Sequence, residues 1–504
     1  MYRRVVSLIT LVAFLALLPG CHSSRAVSLP ELMDKPGARI ATVVMKDGTV
    51  CEYEATPAGA GRLVGNVITC GRYAVCCPDI PLEEVDTVYI SYTDPVKSTV
   101  CVIGVATAVA GTLFLIALAM KESCPFVYSF DGEQYVFDGE PYGGAVCPAL
   151  QRTDLCSLEH LRPHDGQYLL QMVNEVDETQ YTDEFKLWVV DHPPGTQVFP
   201  DDSGELHTVE RPLRPIEARE GASRDVALWL SEKDPRVWES DIRSKDPEVE
   251  ADLRDTLTFV FPKPEDATTA KLIVNGCNSL WCSQMLRRFL ELNGYRAELM
   301  LERMDDPSTL AAVTGFFYRE EFFFLKVKVW VDGEWIERGR IMGGGPFISE
   351  DRVVPLDVED ISGTELRVQL VPPAGFWRFD WFAVDYSDDL PLQLQEVAAT
   401  SIEGDDGADL CDALGASDGT YHVMPEVGER ALLAFPVPPV EPGSERTVFA
   451  KVAGYYDIHL HSTGRPRTQV VDRILEEPGY VVSYSLTEYK DWQSRLEERA
   501  TQGR

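Results

Sequence analysis

The sequence predicts a mainly β fold: a small N-terminal β-barrel, one hydrophobic helix, then a larger antiparallel β-sandwich region, jelly-roll-like, with one short soluble helix. Three observations carry the prediction. Short runs rich in Val, Ile, Tyr, Phe and Trp recur along the chain, many with period-2 alternation. Turn signals containing Asp-Gly or Pro and Gly separate many of them. Only residues 280–292, with Leu286, Phe289 and Leu290, show clear helical spacing outside an apolar stretch. The 504 residues are 45% hydrophobic and 25% charged, enough for roughly two to four domains with real cores. The formal net charge of −35 repels phosphate backbones and no block dense in Lys or Arg offsets it, so nucleic acid is not an expected partner. The acidity reads as a solvated surface.

Met1-Tyr2-Arg3-Arg4 is a short basic region, residues 5–18 are apolar over the length export signals use, and Pro19-Gly20-Cys21 follows. Leu18-Pro19-Gly20-Cys21 resembles the bacterial lipobox, whose cysteine is diacylated after cleavage; Pro19 departs from the usual pattern. Residues 1–21 are therefore expected to be a signal peptide with Cys21 as the lipidation site. An uncleaved anchor would hold the chain at the same membrane. Residues 22–37 read as a tether.

Residues 38–95 alternate in short β-rich runs at 40–45 and 85–90, with Lys46-Asp47-Gly48 as a hairpin turn. This outline, with Ile80-Pro81-Leu82-Glu83-Glu84-Val85 before the last strand, resembles the short barrel modules of bacterial envelope lipoproteins. Residues 98–120 contain the hydrophobic segment. Its twenty residues at 100–119 carry no charge, and as a helix they would reach roughly 30 Å, the span of a bilayer core. A lipidated Cys21 and one full crossing would put residues 122–504 in the cytoplasm. The cysteine content and the family resemblance favour the envelope side instead, with the segment packed or lying in the interface.

Residues 124–265 form an expected β-rich domain, opening on a hairpin at 126–137 around Asp131-Gly132-Glu133 and continuing with strands at 168–173 and 185–190. Residues 266–395 hold a strand at 271–275, the helix at 280–292, and strands at 322–331, 353–356, 365–370 and 376–384. Trp335, Gly339 and Ile341, then residues 353–357, 366–368 and 376–381, look like the jelly-roll modules of bacterial carbohydrate-binding domains. More broadly, residues 124–132 and Asp191-His192-Pro193-Pro194-Gly195 resemble an uncharacterised family of bacterial envelope proteins. The likeness implies a fold and a location and carries no chemistry. Residues 396–504 are expected to be a C-terminal β-rich region.

Twelve cysteines exceed what an exported chain ordinarily leaves unpaired. Apart from Cys21 and Cys101, nine of the remaining ten group as Cys51, Cys70, Cys76 and Cys77, as Cys124, Cys147 and Cys156, and as Cys277 and Cys282. Disulfides are expected within groups, with the connectivity open. The absence of Cys-x-x-Cys gives a zinc ribbon little support.

The best metal candidate is Asp457, His459 and His461, which alternation along a strand would put on one face and whose types ligate zinc or iron. Solvated histidines flanking a core strand explain the same pattern. Cys156, His160 and His164 have four-residue spacing, but Pro163 ends any helix there. Glu403, Asp405, Asp406 and Asp409 form an acidic loop that offers Ca²⁺ oxygen ligands without the EF-hand spacing. Trp377, Phe379 and Trp381 alternate on one strand face, as a glycan-binding platform or as core. Gly343-Gly344-Gly345 lacks the Lys and Ser/Thr of a phosphate loop and reads as a flexible turn. No nucleophile motif stands out. The expected function is a membrane-anchored envelope protein without catalysis, a scaffold or a binder of protein or glycan, needing no cofactor. The alternative is a metal-dependent hydrolase built on Asp457, His459 and His461.

Overall fold

The computed structural model describes residues 22–27, 29–33, 39–47, 50–52, 62–64, 66–69, 80–93, 125–245, 253–460, 462 and 464–502. The chain divides into two compact units, one up to Ala117 and one from Leu118 onward. Both are built on antiparallel strands, as expected.

In the first unit, His22–Val27, Val85–Thr93, Arg39–Met45 and Val50–Glu52 form a four-stranded sheet in that order. Arg62–Val64, Val67–Thr69 and Ile80–Pro81 form a three-stranded one. Val27, Leu32, Ile40, Val43, Ile68, Ile80, Val85, Val88 and Ile90 make the core; Val88 and Ile90 alternate as strand geometry requires, and a register shift after Ile40 turns Val43 to the same core. The expected tether at 22–37 is corrected here. Residues 22–27 are a strand, registered from His22↔Thr93 to Val27↔Val88, and Leu29–Met33 is a short helix. Cys21 and the hydrophobic segment at 98–120 lie outside the described residues. Among the described residues no helix is long and apolar enough to cross a membrane.

The second unit contains two pairs of facing sheets. In the outer pair, one sheet runs Arg152–Ser157, Glu445–Ile458, Glu178–His192, Gln393–Val397, with His422–Met424 also on Glu178–His192. The other runs Ser401–Gly404, Arg430–Pro436, Gln167–Val173, Phe126–Phe130, Tyr135–Gly139. Tyr168, Leu170 and Met172 alternate inward, and Phe185 meets Phe435 across the gap with ring centroids 6.0 Å apart. In the inner pair, a six-stranded sheet (Arg224–Asp225, Glu217–Glu220, Leu257–Pro262, Glu365–Leu370, Phe324–Val331, Glu334–Met342) faces a four-stranded one (Trp238–Glu239, Trp377–Asp385, Thr269–Asn278, Glu350–Asp357). Phe259 and Phe382 touch between them at 4.4 Å.

The inner pair is inserted in the chain of the outer pair. Its two crossings are tied together, because Leu213 N donates to Val384 O (2.8 Å) and Val384 N to Leu213 O (3.0 Å). The boundaries expected at 265/266 and 395/396 therefore do not separate folded bodies: strands on either side of both share sheets. One continuous core spans both pairs.

The helical content also exceeds the single helix expected. Leu280–Glu291 forms as predicted, capped by Ser279, whose hydroxyl accepts from Cys282 N. Ala297–Glu302 and Pro307–Glu320 follow it. The region expected to be β-rich to residue 504 ends in two helices, Thr468–Glu476 and Tyr480–Gln502. These close over Leu280–Glu291: Trp281 Nε1 donates to Ser485 Oγ (2.8 Å), the Trp281 ring meets Tyr489 edge-on, and Arg288 pairs with Glu488 (3.1 Å).

Candidate functional site

Trp377 and Trp381, read from the sequence as either a glycan platform or core, are interior. Trp377 is fully buried, stacks on Phe379 and donates Nε1–H to Glu321 O (3.1 Å). Trp381 is 9% exposed and donates to Asp351 Oδ1 (3.0 Å). A sugar needs exposed ring faces, so this strand offers it none; rings of this size gain most by leaving water.

The Asp457, His459 and His461 arrangement is also different from the expected one. The strand Glu445–Ile458 stops before His459. Both ring nitrogens of His459 are occupied, Nδ1 by Asp177 Oδ1 (2.8 Å) and Nε2 by Thr179 Oγ1 (2.9 Å), which leaves neither nitrogen open to a metal. Asp457 lies in the same cleft of about 540 Å³, lined also by Glu298, Glu302 and Cys147. Burial raises the Asp457 carboxyl above its ordinary value, against the lowering effect of the Tyr181 hydroxyl. His461 lies outside the described residues. In the acidic loop, Asp405 pairs with Arg430 (2.8 Å) while Asp406 and Asp409 accept from Ala408 N and Cys411 N, the pattern of a self-contained turn. Cys156, His160 and His164 do not assemble: Cys156 is buried in a strand, His160 bonds Asp138 (2.8 Å), and His164 packs against Phe130.

The expected Cys277–Cys282 pairing is corrected. The Cys277 thiol contacts Ser349 Oγ (3.4 Å), while Cys282 points at Phe322 O (3.8 Å). Burial pushes the Cys277 thiol up to about 11 and holds those of Cys282 and Cys156 well above their usual range. Protonated, buried thiols react poorly with oxidants and metals.

Two features of the structure had no counterpart in the sequence reading. The first is a small cavity of about 90 Å³ at the junction of the outer and inner sheet pairs. Arg152 and Asp154 from the outer pair (Nε–Oδ1 2.8 Å) meet Glu350 and Arg352 from the inner pair. Arg352 also donates to Leu155 O (2.9 Å), binding one body to the other. Burial raises Glu350, and the Arg352 guanidinium works against that shift. Gly343-Gly344-Gly345 is part of this junction and not a free turn. A Cβ at Gly343 would stand 1.9 Å from Asn278 Oδ1, and one at Gly345 2.0 Å from the Glu140 carboxyl carbon. Glycine is required by close approach.

The second is a hairpin at the cavity mouth, Gln197–Pro200 paired with Leu206–Val209. Asp201 N bonds Glu205 O (2.8 Å), which closes the loop and sets those two residues opposite each other. Glu205 stands just before the strand Leu206–Val209 and His207 is two residues further on, inside it. Ligand atoms of Asp201, Glu205 and His207 lie within 4.8 Å of one another, the one such His/Cys/Asp/Glu group among the described residues. Asp201 Oδ1 is occupied by Ser203 N, Ser203 Oγ and Glu205 N, at 2.8–2.9 Å. Its Oδ2 faces His207 Nε2 at 3.6 Å. Burial alone would raise the Asp201 carboxyl, but the Ser203 and Glu205 bonds, with His207 nearby, outweigh it and hold it low. On the far side of the ring, His207 Nδ1 bonds Asp389 Oδ2 (2.9 Å), and Asp389 Oδ1 is held by Thr208 N (2.8 Å) and Lys271 Nζ (3.2 Å). The run Asp201-Asp202-Ser203-Gly204-Glu205 announces a turn, and counting two onward reaches His207; Asp389, 182 positions away, carries no local signal.

Compared with known families and with curated proteins, this sequence finds no matching family model and no matching relative.

Proposed function

We propose that the chain is a membrane-anchored protein of the bacterial cell envelope, acylated at Cys21, whose second unit serves as a scaffold or protein-binding body without catalysis. The observation that carries the reading is the leader: a basic start, the apolar residues 5–18, and Leu18-Pro19-Gly20-Cys21. A feature of the first unit supports it. His22 and Thr93 are paired neighbours, so the described chain enters and leaves that sheet at one end. On this reading both membrane contacts fall on one side, and the second unit stays on the envelope side with the apolar segment lying in the interface. We read the two N-terminal sheets as a small barrel and the facing sheet pairs as sandwiches, the inner one jelly-roll-like; the in-out alternation of Gln167–Val173 and Phe324–Val331 supports this. Between the two partner classes, protein has more support than glycan, since Trp377 and Trp381 are interior. The hydrolase reading has less support, since both nitrogens of His459 are already bonded.

The test is metabolic labelling with an alkyne fatty acid, combined with protease treatment of intact and osmotically opened cells. The wild type is expected to take up label, Cys21→Ser to take up none, and the second unit to be cleaved without opening the inner membrane. Label retained in Cys21→Ser, or a second unit shielded until the inner membrane is broken, overturns the reading. In the same cells a crosslinker is expected to trap a discrete protein adduct; retention on a polysaccharide matrix without one returns the glycan version.

A further inference from the structure

We propose that Asp201, Glu205 and His207 form a binding site for one divalent transition-metal ion of the zinc type, with Asp389 fixing the orientation of the histidine. Two independent features of the structure point to it.

The first is the donor set that the hairpin assembles. Closure of the loop puts Asp201 opposite Glu205, and His207 follows two residues further on, inside the strand. One imidazole nitrogen with two carboxylate oxygens suits a borderline cation, whereas Ca²⁺ and Mg²⁺ favour all-oxygen shells of six or more ligands. The 3.6 Å between His207 Nε2 and Asp201 Oδ2 is close to the spacing of two ligands on one tetrahedral ion with bonds of about 2.0–2.1 Å. Both point at the same gap.

The second is that His207 is 8% exposed and its Nε2 makes no hydrogen bond. A buried polar atom left in this state is destabilising unless something fills the gap. The Asp389 carboxylate on the other nitrogen requires a proton on Nδ1, which in the neutral ring leaves the Nε2 lone pair facing Asp201. Two lone pairs then face each other, an arrangement that a cation between them relieves. The carboxylate–histidine pair, held in place by Lys271 and Thr208, is how metal-bound imidazoles are commonly oriented. Three protein ligands leave a fourth position for water or for a side chain from a bound protein. The rival is a proton: an imidazolium between Asp201 and Asp389, needing no metal.

The test uses the full chain in detergent, stripped with chelator and titrated with Zn²⁺ by calorimetry, with metal content measured after dialysis. The expected result is one zinc per chain, a raised melting temperature, and no comparable effect of Ca²⁺ or Mg²⁺. Glu205 is exposed, so Glu205→Ala should melt like the wild type without metal yet bind zinc about tenfold more weakly or worse. Asp389→Asn should weaken binding by about 10–100-fold, and His207→Gln should abolish it. If His207→Gln fails to fold, Glu205→Ala decides. The proposal is overturned if the wild type retains no zinc, which leaves the imidazolium, or if Glu205→Ala binds zinc as the wild type does, which places the ion elsewhere.

Discussion

Glu396 shows how far single side chains of this acidic protein depend on local donors. Its carboxylate accepts from Trp188 Nε1 (3.0 Å), Lys186 Nζ (2.9 Å) and Lys451 Nζ (3.1 Å). The Trp188 and Lys186 bonds, with Lys451 added, outweigh desolvation and pull its pKa down to about 2. A carboxyl depressed in the folded state contributes stability that is fully present above its unfolded value near 4.5 and is lost as pH falls toward 2. The side chain is 41% exposed, so solvent screens the effect and the contribution is modest. In urea titrations from pH 6 down to pH 2, Glu396→Gln is expected to lose stability less steeply with acid than the wild type does. Parallel profiles would show that the three donors add nothing to folding. Single residues were the least legible scale of the sequence. Trp377 and Trp381 alternate with polar neighbours whether the strand lies over a core or faces a sugar, and only the opposing sheet decides. His459 looked available because its two partners, Asp177 and Thr179, lie about 280 positions upstream.

Elements were easier to read, and strands far easier than helices. Glu365–Leu370 has the expected ends, because its alternating burial is written directly as period-2 hydrophobicity, and Trp377–Asp385, an apolar-rich strand buried at every position but Arg378, differs from the expected strand by one residue at each end. The turn at Asp332-Gly333 takes φ values of 48° and 96°, both left-handed, as the Asp-Gly pair in a hairpin announces. Pro307–Glu320 was missed for a physical reason: of its fourteen residues only Phe316 and Glu320 are buried, so there is no wide apolar stripe to detect. Its start was nevertheless encoded. Asp306 caps the helix by accepting from Thr309 N (3.0 Å), and Pro307 occupies the first turn, where a missing N–H costs nothing. Asp306→Ala is expected to cost about 1 kcal/mol of stability, measured by urea unfolding at neutral pH; an unchanged midpoint would mean that tertiary packing alone sets this helix. The final helices lie in a region expected to be β-rich, and Tyr480–Gln502 buries the β-branched Val481 and Val482, residue types that favour strands locally.

At the scale of the molecule, nesting is the feature that local patterns least reveal. A sequence shows where strands begin and end but not that Glu178–His192 pairs with Glu445–Ile458 across an inserted body. Three couplings join the two bodies: the tied crossings at Leu213 and Val384, the Arg352 bond to Leu155, and one common core. The second unit should therefore unfold in a single transition, with tryptophan fluorescence and far-UV circular dichroism coincident in urea. Two separated transitions would show that the inner body is autonomous. The same nesting imposes an order of assembly on a chain that is made N-terminus first. Asp191 meets its Arg446 partner 255 positions later, and at synthesis rates of about 5–20 residues per second that is a delay on the order of ten to fifty seconds. For most of it, Arg152–Ser157 and Glu178–His192 lack all their sheet neighbours and leave unpaired edges that invite wrong partners. Every strand of the inner pair is made inside that interval, so the last outer strands arrive only after the whole inner sequence exists. In that interval the exposure to wrong pairing falls on these two outer strands and not on the core they finally enclose.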